Sequence, residues 1–224
     1  MKYKIIKIDI MSENYPQILK NIDYPPKELY CWGNLDLLNH NKTIAIIGSR
    51  ICSDYGKKVA IDFSSNLAKE GFCIVSGLAK GIDSYAHLGA LSVSGKTIAI
   101  IGSGIDNIYP KENIKLAENI VKNNGLIISE YPLGTLALKQ NFPARNRIIS
   151  GISNSILVVE AREKSGTNIT VEFALEQGKD IYVIPGNIYS KTSNGTNFLI
   201  QEGAIPVVNY KDIKKKMINY CKFM

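Results

Sequence analysis

Thr43-Ile44-Ala45-Ile46-Ile47-Gly48-Ser49-Arg50 opens a pattern that most of the chain repeats. Its first five residues carry no charge and do not alternate polar with apolar, as expected of a strand buried on both faces. Gly48-Ser49 ends the run. Residues 54–70 then place Val59, Phe63 and Leu67 four apart on one helical face, and Gly71 stops that helix. The same grammar predicts strands over 72–75, 97–101, 126–129, 156–159 and 181–184. Between and after them it predicts helices over 82–93, 112–123, 141–153, 168–177 and 196–202. Buried strands alternating with helices imply right-handed crossovers in an α/β fold, a mostly parallel sheet covered by helices on both faces. In such sheets ligands settle beyond the carboxyl ends of the strands, where the strand order reverses. The glycines and serines gather at those ends: Gly48, Ser76-Gly77, Gly102 to Gly104, and Pro185-Gly186.

The flanks read differently. Tyr15-Pro16 and Tyr24-Pro25-Pro26 bracket a short helix, and 29–32 reads as an edge strand. The expected organisation is an extension over 1–42 packing on the core, a binding domain over 43–209, and a basic C-terminal helix over 210–224. In that helix Ile213, Met217 and Tyr220 share one side, and Lys214, Lys215 and Lys216 carry the charge.

The 224 residues, 45% hydrophobic and 21% charged, exclude a disordered tail or a collagen-like fibre. The longest apolar runs are strand-length, so no membrane span and no membrane partner is expected. Four cysteines (Cys31, Cys52, Cys73 and Cys221) form no C-x-x-C pair, and two histidines are too few for a zinc site. The expectation is therefore reduced thiols, no metal and a cytoplasmic location. A net charge of +7 permits an anionic partner without requiring one.

Two nucleotide signatures fail. Gly89 to Thr97 imitates a Walker A loop, but five residues separate Gly89 from Gly95, and the segment runs from helix to strand. Gly102-Ser103-Gly104 has Asn107 where a dinucleotide fingerprint needs its third glycine. ATP and NAD are thus excluded, and no cofactor is expected. Catalytic arrangements are thin. Glu160, Glu172 and Glu176 are candidate acids or bases, and His87, beside Ala86 on a helix, reads as a packed residue.

What remains is a set of anion-friendly strand ends. Arg50 lies just before a helix start, where open amides and the helix dipole favour negative charge. Lys80-Gly81 and Ser165-Gly166-Thr167 open two further helices. Residues 131–147 hold Lys139, Arg145 and Arg147 and no acid, and 186–201 carry Lys191 and Glu-free polar turns. Their convergence on one rim points to a phosphate-backbone site. Phe142 either stacks an unpaired base, which favours single strands over duplex, or anchors the helix that follows it.

On its motifs the chain closely resembles the bacterial DprA/Smf family of DNA-processing proteins. The resemblance covers Tyr15 to about Ala204. It includes Tyr15-Pro16, Pro25-Pro26, Ile46-Ile47-Gly48-Ser49-Arg50 and Ser53-x-Tyr55-Gly56. It continues through Ser76-Gly77-Leu78-Ala79-Lys80-Gly81-Ile82-Asp83, Ala86-His87, Tyr109-Pro110 and Ser129-Glu130. Phe142-Pro143-Ala144-Arg145-Asn146-Arg147-Ile148-Ile149, Val159-Glu160-Ala161, Ser165-Gly166, Pro185-Gly186 and Gly195-x-Asn197 follow in order. The resemblance implies an extended Rossmann-like fold that binds single-stranded DNA, forms a homodimer and loads the RecA recombinase during natural transformation. Carried over, Gly48, Ser49 and Arg50 seat a phosphate through amides and guanidinium. Lys139 and Arg145 neutralise further phosphates, and Phe142 stacks a base. Asn146 and Arg147 join this pocket or brace it. Ser76, Gly77, Lys80, Gly81, Ser165 and Gly166 complete the expected contacts, the glycines by letting backbone approach closely.

Nothing in this set hydrolyses a bond, so the expected protein is not an enzyme. Many family members add a SAM-like and a winged-helix-like domain, and the expectation here is the Rossmann-core form without them. The alternative is a nucleotide-binding or nucleoside-monophosphate phosphoribohydrolase-like protein of the same broad superfamily. Such enzymes use Gly-Thr-x-x-Glu; here Gly166-Thr167 is followed by Thr170 at the acid position, and Glu172 comes two residues late.

Overall fold

The structure, a computed structural model, describes residues 4–163 and 165–221, with side chains through residue 216. Its strands are β1 (Ile5–Asp9), β2 (Glu28–Gly33), β3 (Thr43–Ile47), β4 (Cys73–Ser76), β5 (Thr97–Ile101), β6 (Leu126–Ser129), β7 (Ser155–Val158), β8 (Asp180–Val183) and β9 (Ile205–Pro206). Among the described residues they form a single sheet in the order β1-β2-β6-β5-β4-β3-β7-β8-β9. From β6 through β9 every neighbouring pair is parallel, and Ala45 of β3 lies between Val75 and Ile156. β1 and β2 pair antiparallel at one end.

All five residues of β3 and of β5 are buried, which is why neither alternates. The sheet's two faces take opposite residues of the same strand. On one face Ala45, Ile47, Val75 and Val158 meet Ile148 and Ile149 of α5 (Asn141–Gly151) and Ile152 just after it, with Val171 and Ala174 of α6 (Gly166–Glu176). On the other, Ile44, Ile46 and Ile74 meet Ala60, Phe63 and Leu67 of α2 (Asp54–Lys69), with Ala86 and Ala90 of α3 (Ile82–Ser92). Helix α4 (Ile114–Lys122) covers Ala99, Ile101 and Ile127. The short α1 (Gln17–Lys20) brings Leu19 into the first of these clusters, while α7 (Asn194–Gln201) and α8 (Tyr210–Cys221) follow the last long strands. The imitation of a Walker loop falls between α3 and β5, a helix-to-strand turn.

Two details differ from the sequence reading, and one expectation falls partly outside the described residues. The segment over 29–32 is not an edge: β2 lies between β1 and β6, and the edge is Ile5–Asp9. That strand was hidden because only Ile8 is deeply buried while Lys7 and Asp9 face water. The helix expected over 112–123 begins as a 3₁₀ turn, Lys111–Asn113, before α4. Of the C-terminal helix, Ile213 is fully buried, while the side chains of Met217 and Tyr220 and residues 222–224 lie outside the described residues.

The described part of the N-terminal segment is integral to this core. Tyr15, Leu19 and Leu29 are fully buried in the same cluster as Val75 and Ile156, and the Tyr15 hydroxyl donates to the Pro26 carbonyl at 2.7 Å.

From β3 the chain moves outward through β4, β5 and β6, then returns to β7 on the other side of β3. The loops leaving β3 and β7 therefore diverge, and a crevice opens between them.

Candidate functional site

That crevice is a cavity of about 410 Å³. The β3 loop supplies Gly48, Ser49 and Arg50, and the β7 loop supplies Arg162 and Ser165. The start of α6 adds Gly166 and Thr167; α5 adds Phe142, Arg145 and Asn146; Asp83 of α3 completes the floor. The loops are stitched together by backbone. The Ser49 amide donates to the Glu160 carbonyl at 2.8 Å, and the Ile82 amide donates to the Ser49 carbonyl at 3.1 Å. A Cβ on Gly48 would lie 2.7 Å from the Glu160 carbonyl oxygen, so this close approach requires glycine. Gly81, at φ +75°, sits equally tight against the Ser49 and Arg50 carbonyls. These glycines serve approach between the protein's own loops.

Arg145 forms the cationic floor and is only 4% exposed. Its Nη1 donates to the Gly77 carbonyl at 2.6 Å and also to the Ile100 carbonyl, while Nε has no partner. Burial pulls its pKa down to about 10, with the Asp83 charge opposing that shift. Burial likewise pushes the Asp83 carboxyl up, against the pull of Arg145 and hydrogen bonds from the Ala79 and Gly77 amides. The hydrogen bond from the Gly77 amide to Asp83 Oδ2 measures 3.1 Å. Gly77 is small for their sake: a Cβ there would lie 2.5 Å from Arg145 Nη1 and 2.7 Å from Asp83 Oδ2.

Arg50 is exposed at the cavity mouth, its guanidinium carbon 5.9 Å from the Phe142 ring centroid. Beside Phe142 stands Tyr109, centroids 5.7 Å apart and planes 48° from parallel. A second, small cavity of about 70 Å³ lies here, lined by Arg50, Lys80, Tyr109, Pro110, Phe142 and Arg145 among others.

The remaining expected residues are distributed as follows. Asn146 donates its side-chain amide to the Gly166 carbonyl at 3.4 Å, bracing α5 against the start of α6. Ser165 and Gly166 line the cavity, and α6 begins with neither a side-chain cap nor an acid in its first turn. Ser76 is wholly buried, its hydroxyl donating to the Ile46 carbonyl at 2.7 Å, which removes it from the surface. Arg147 is turned away from the cavity: it grips both oxygens of Glu130 at 2.6 Å and the Tyr24 carbonyl at 3.0 Å, joining the N-terminal segment to the core. Lys80 is paired with Glu112 at 2.6 Å. Lys139 is exposed two residues before α5 and lines neither cavity.

The anion-friendly start expected at α2, just after Arg50, is already filled. Glu160, 1% exposed, accepts the Ser53 amide at 2.9 Å, the Ser53 hydroxyl and the Thr192 hydroxyl, placing a carboxylate at that helix N-terminus. The adjoining cavity of about 400 Å³ beyond β8, lined by Glu160, Tyr55, Gly186 and Ser190 among others, has no Lys or Arg among its lining residues. In the rim over 186–193 the one charged side chain, Lys191, is exposed and lies outside this cavity's lining. Sequence reasoning missed Arg162, Tyr109 and Asp83 as site residues. Arg162 had a topological signal, since it follows β7 as Arg50 follows β3. Among the described residues there is no cluster of three or more His, Cys, Asp or Glu able to hold a metal ion, and no helix long and apolar enough to cross a membrane.

Fold and site define a Rossmann-like α/β protein with an arginine-lined, aromatic-edged cavity at the point where strand order reverses. Within that class, the chain belongs to the DNA recombination-mediator protein A family, whose profile matches residues 7–218. It is 46% identical over 210 residues to DNA processing protein DprA of Streptococcus pneumoniae, covering 94% of this chain and 73% of that protein. The Bacillus subtilis DprA is 40% identical over 210 residues, covering 94% and 70%. The solved S. pneumoniae structure superposes with a TM-score of 0.90 at 45% identity over 95% of this chain and 74% of that one. DNA processing protein A from Helicobacter pylori, a structure described as giving insight into a unique single-stranded DNA binding mode, gives 0.87 at 34% identity over 98% and 97%. The Rossmann-like expectation and the family resemblance are both borne out.

Proposed function

We propose that the protein binds single-stranded DNA across the β3–β7 crevice. One observation carries this reading: Arg50, Arg145, Arg162 and the uncapped start of α6 converge on a single cavity whose acid, Asp83, is balanced by Arg145. Such a site suits a phosphate, and the Phe142–Tyr109 pair at its edge suits unpaired bases. Arg50 supplies its guanidinium. The Ser49 amide is engaged elsewhere, so the phosphate seat shifts from the β3 amides toward α6. Lys139, just before α5, adds a peripheral charge. Arg147 and Asn146 act as braces.

Family membership supports the wider reading, a dimeric protein that loads RecA onto incoming strands during natural transformation and recombination. We infer a binding protein without turnover. Glu172, the acid nearest to a hydrolase pattern, is exposed on α6 and does not line the cavity. Fluorescence anisotropy with single- and double-stranded oligonucleotides over a salt series tests the proposal. The expected result is preference for single strands, with log K falling linearly against log salt. Equal affinity for duplex, or a flat salt response, overturns it. Release of free adenine from AMP overturns the non-enzymatic reading.

A further inference from the structure

Phe142 is a crowded platform. Arg50 covers its ring at 5.9 Å, so a base can stack on that face only after the guanidinium swings away. Tyr109 is different. It is 53% exposed, and the adjacent Pro110 is buried, so a firmly rooted ring is offered to solvent. The small cavity beside it shares Arg50, Phe142 and Arg145 with the large one, so the two are neighbours. At about 70 Å³ it does not enclose a base; it borders an open aromatic face. Lys80 stands on the same border, held by Glu112 in a pair whose side chains are 57% and 65% exposed. Solvent-exposed pairs of this kind are readily opened by a competing anion.

We propose that Tyr109 and Lys80 form a second nucleotide station, next to the main cavity, in which an unpaired base stacks on Tyr109 and a phosphate takes Lys80 from Glu112. Resting on the single-stranded DNA reading above, the proposal adds a direction: the strand leaves the Arg50 mouth toward β5 and the start of α4. Glu112 then acts as a built-in competitor that lowers affinity at this station.

The test measures anisotropy with oligo-dT and with an abasic oligonucleotide of equal length. Wild type is compared with Tyr109→Leu, Tyr109→Phe, Lys80→Met, Glu112→Gln and Arg50→Ala, with urea unfolding confirming that each variant is folded. Tyr109→Leu is expected to weaken oligo-dT binding about 5- to 150-fold, the range for losing one base stack, and to leave the abasic strand unaffected. Tyr109→Phe restores binding. Lys80→Met lowers the salt slope by about 0.7, the value for one phosphate of a single strand, and Glu112→Gln tightens binding. If Arg50→Ala weakens binding while Tyr109→Leu does not, or if Tyr109→Leu weakens both strands equally, the station is overturned and the main cavity stands. A wild-type protein that binds neither strand overturns both.

Discussion

Acidification provides a quantitative test of the packing beneath the site. His87 is fully buried on α3, and Thr97 fixes its tautomer. The Thr97 hydroxyl donates to the Ile74 carbonyl at 2.7 Å, so it must accept from His87 Nδ1–H, also at 2.7 Å. Nε2 has no partner. Burial, with a smaller contribution from the Arg145 charge, holds the imidazole pKa down to about 3. In the unfolded chain it returns to about 6.5. Between these values the unfolded state binds a proton that the folded state refuses, so stability is full above about pH 6.5 and falls as pH drops. The slope approaches about 1.4 kcal/mol per pH unit, giving a loss of about 2 kcal/mol by pH 5 from this one group. Urea unfolding of wild type and His87→Gln across about pH 7 to 5 isolates the term, because glutamine can donate to Thr97 without titrating. His40, whose pKa burial also lowers, is present in both proteins and cancels. The wild type should lose about 2 kcal/mol more than the variant over this range. Parallel stability curves would refute the reasoning, since they would mean that His87 takes up its proton within the fold.

Other outcomes follow from the same geometry. Gly77→Ala should destabilise by about 1–3 kcal/mol through overpacking against Arg145 and Asp83, read from thermal melting. Arg50→Ala should weaken oligonucleotides of every sequence and reduce the salt slope by about 0.7, whereas Arg147→Met should lower stability and leave the slope unchanged. Phe142→Ala should weaken oligo-dT by about 1–3 kcal/mol in the same titration. Glu160→Ala should cost about 1–3 kcal/mol for each buried donor it orphans, with early loss of amide-exchange protection in the first turn of α2.

The central strands were legible because burial on both faces leaves an uninterrupted apolar run, as in Thr43–Ile47, and glycines mark where each run stops. Ile5–Asp9 escaped for the opposite reason: at a half-solvated edge, Lys7 and Asp9 break up the isoleucines and the run disappears. In the site, charge was visible but its neutralisation was not. Arg147 and Arg145 look alike in sequence, yet one is spent on Glu130 and the other lies beneath the cavity, because their partners come from residues 17 and 68 positions away. Tyr109 and Arg162 join Arg50 only through the strand order, which no local window contains.

By supplying its own carboxylate to the start of α2, the protein makes its rim asymmetric. Arginines and Lys80 lie on the side running from α6 toward the start of α4, whereas the hollow beyond β8 has Glu160 and no Lys or Arg among its lining residues. On the proposed single-stranded DNA reading, a strand laid across the top of the sheet would find its cationic partners on one side only. Glu160 is thus a structural plug that leaves the start of α2 closed to any outside anion.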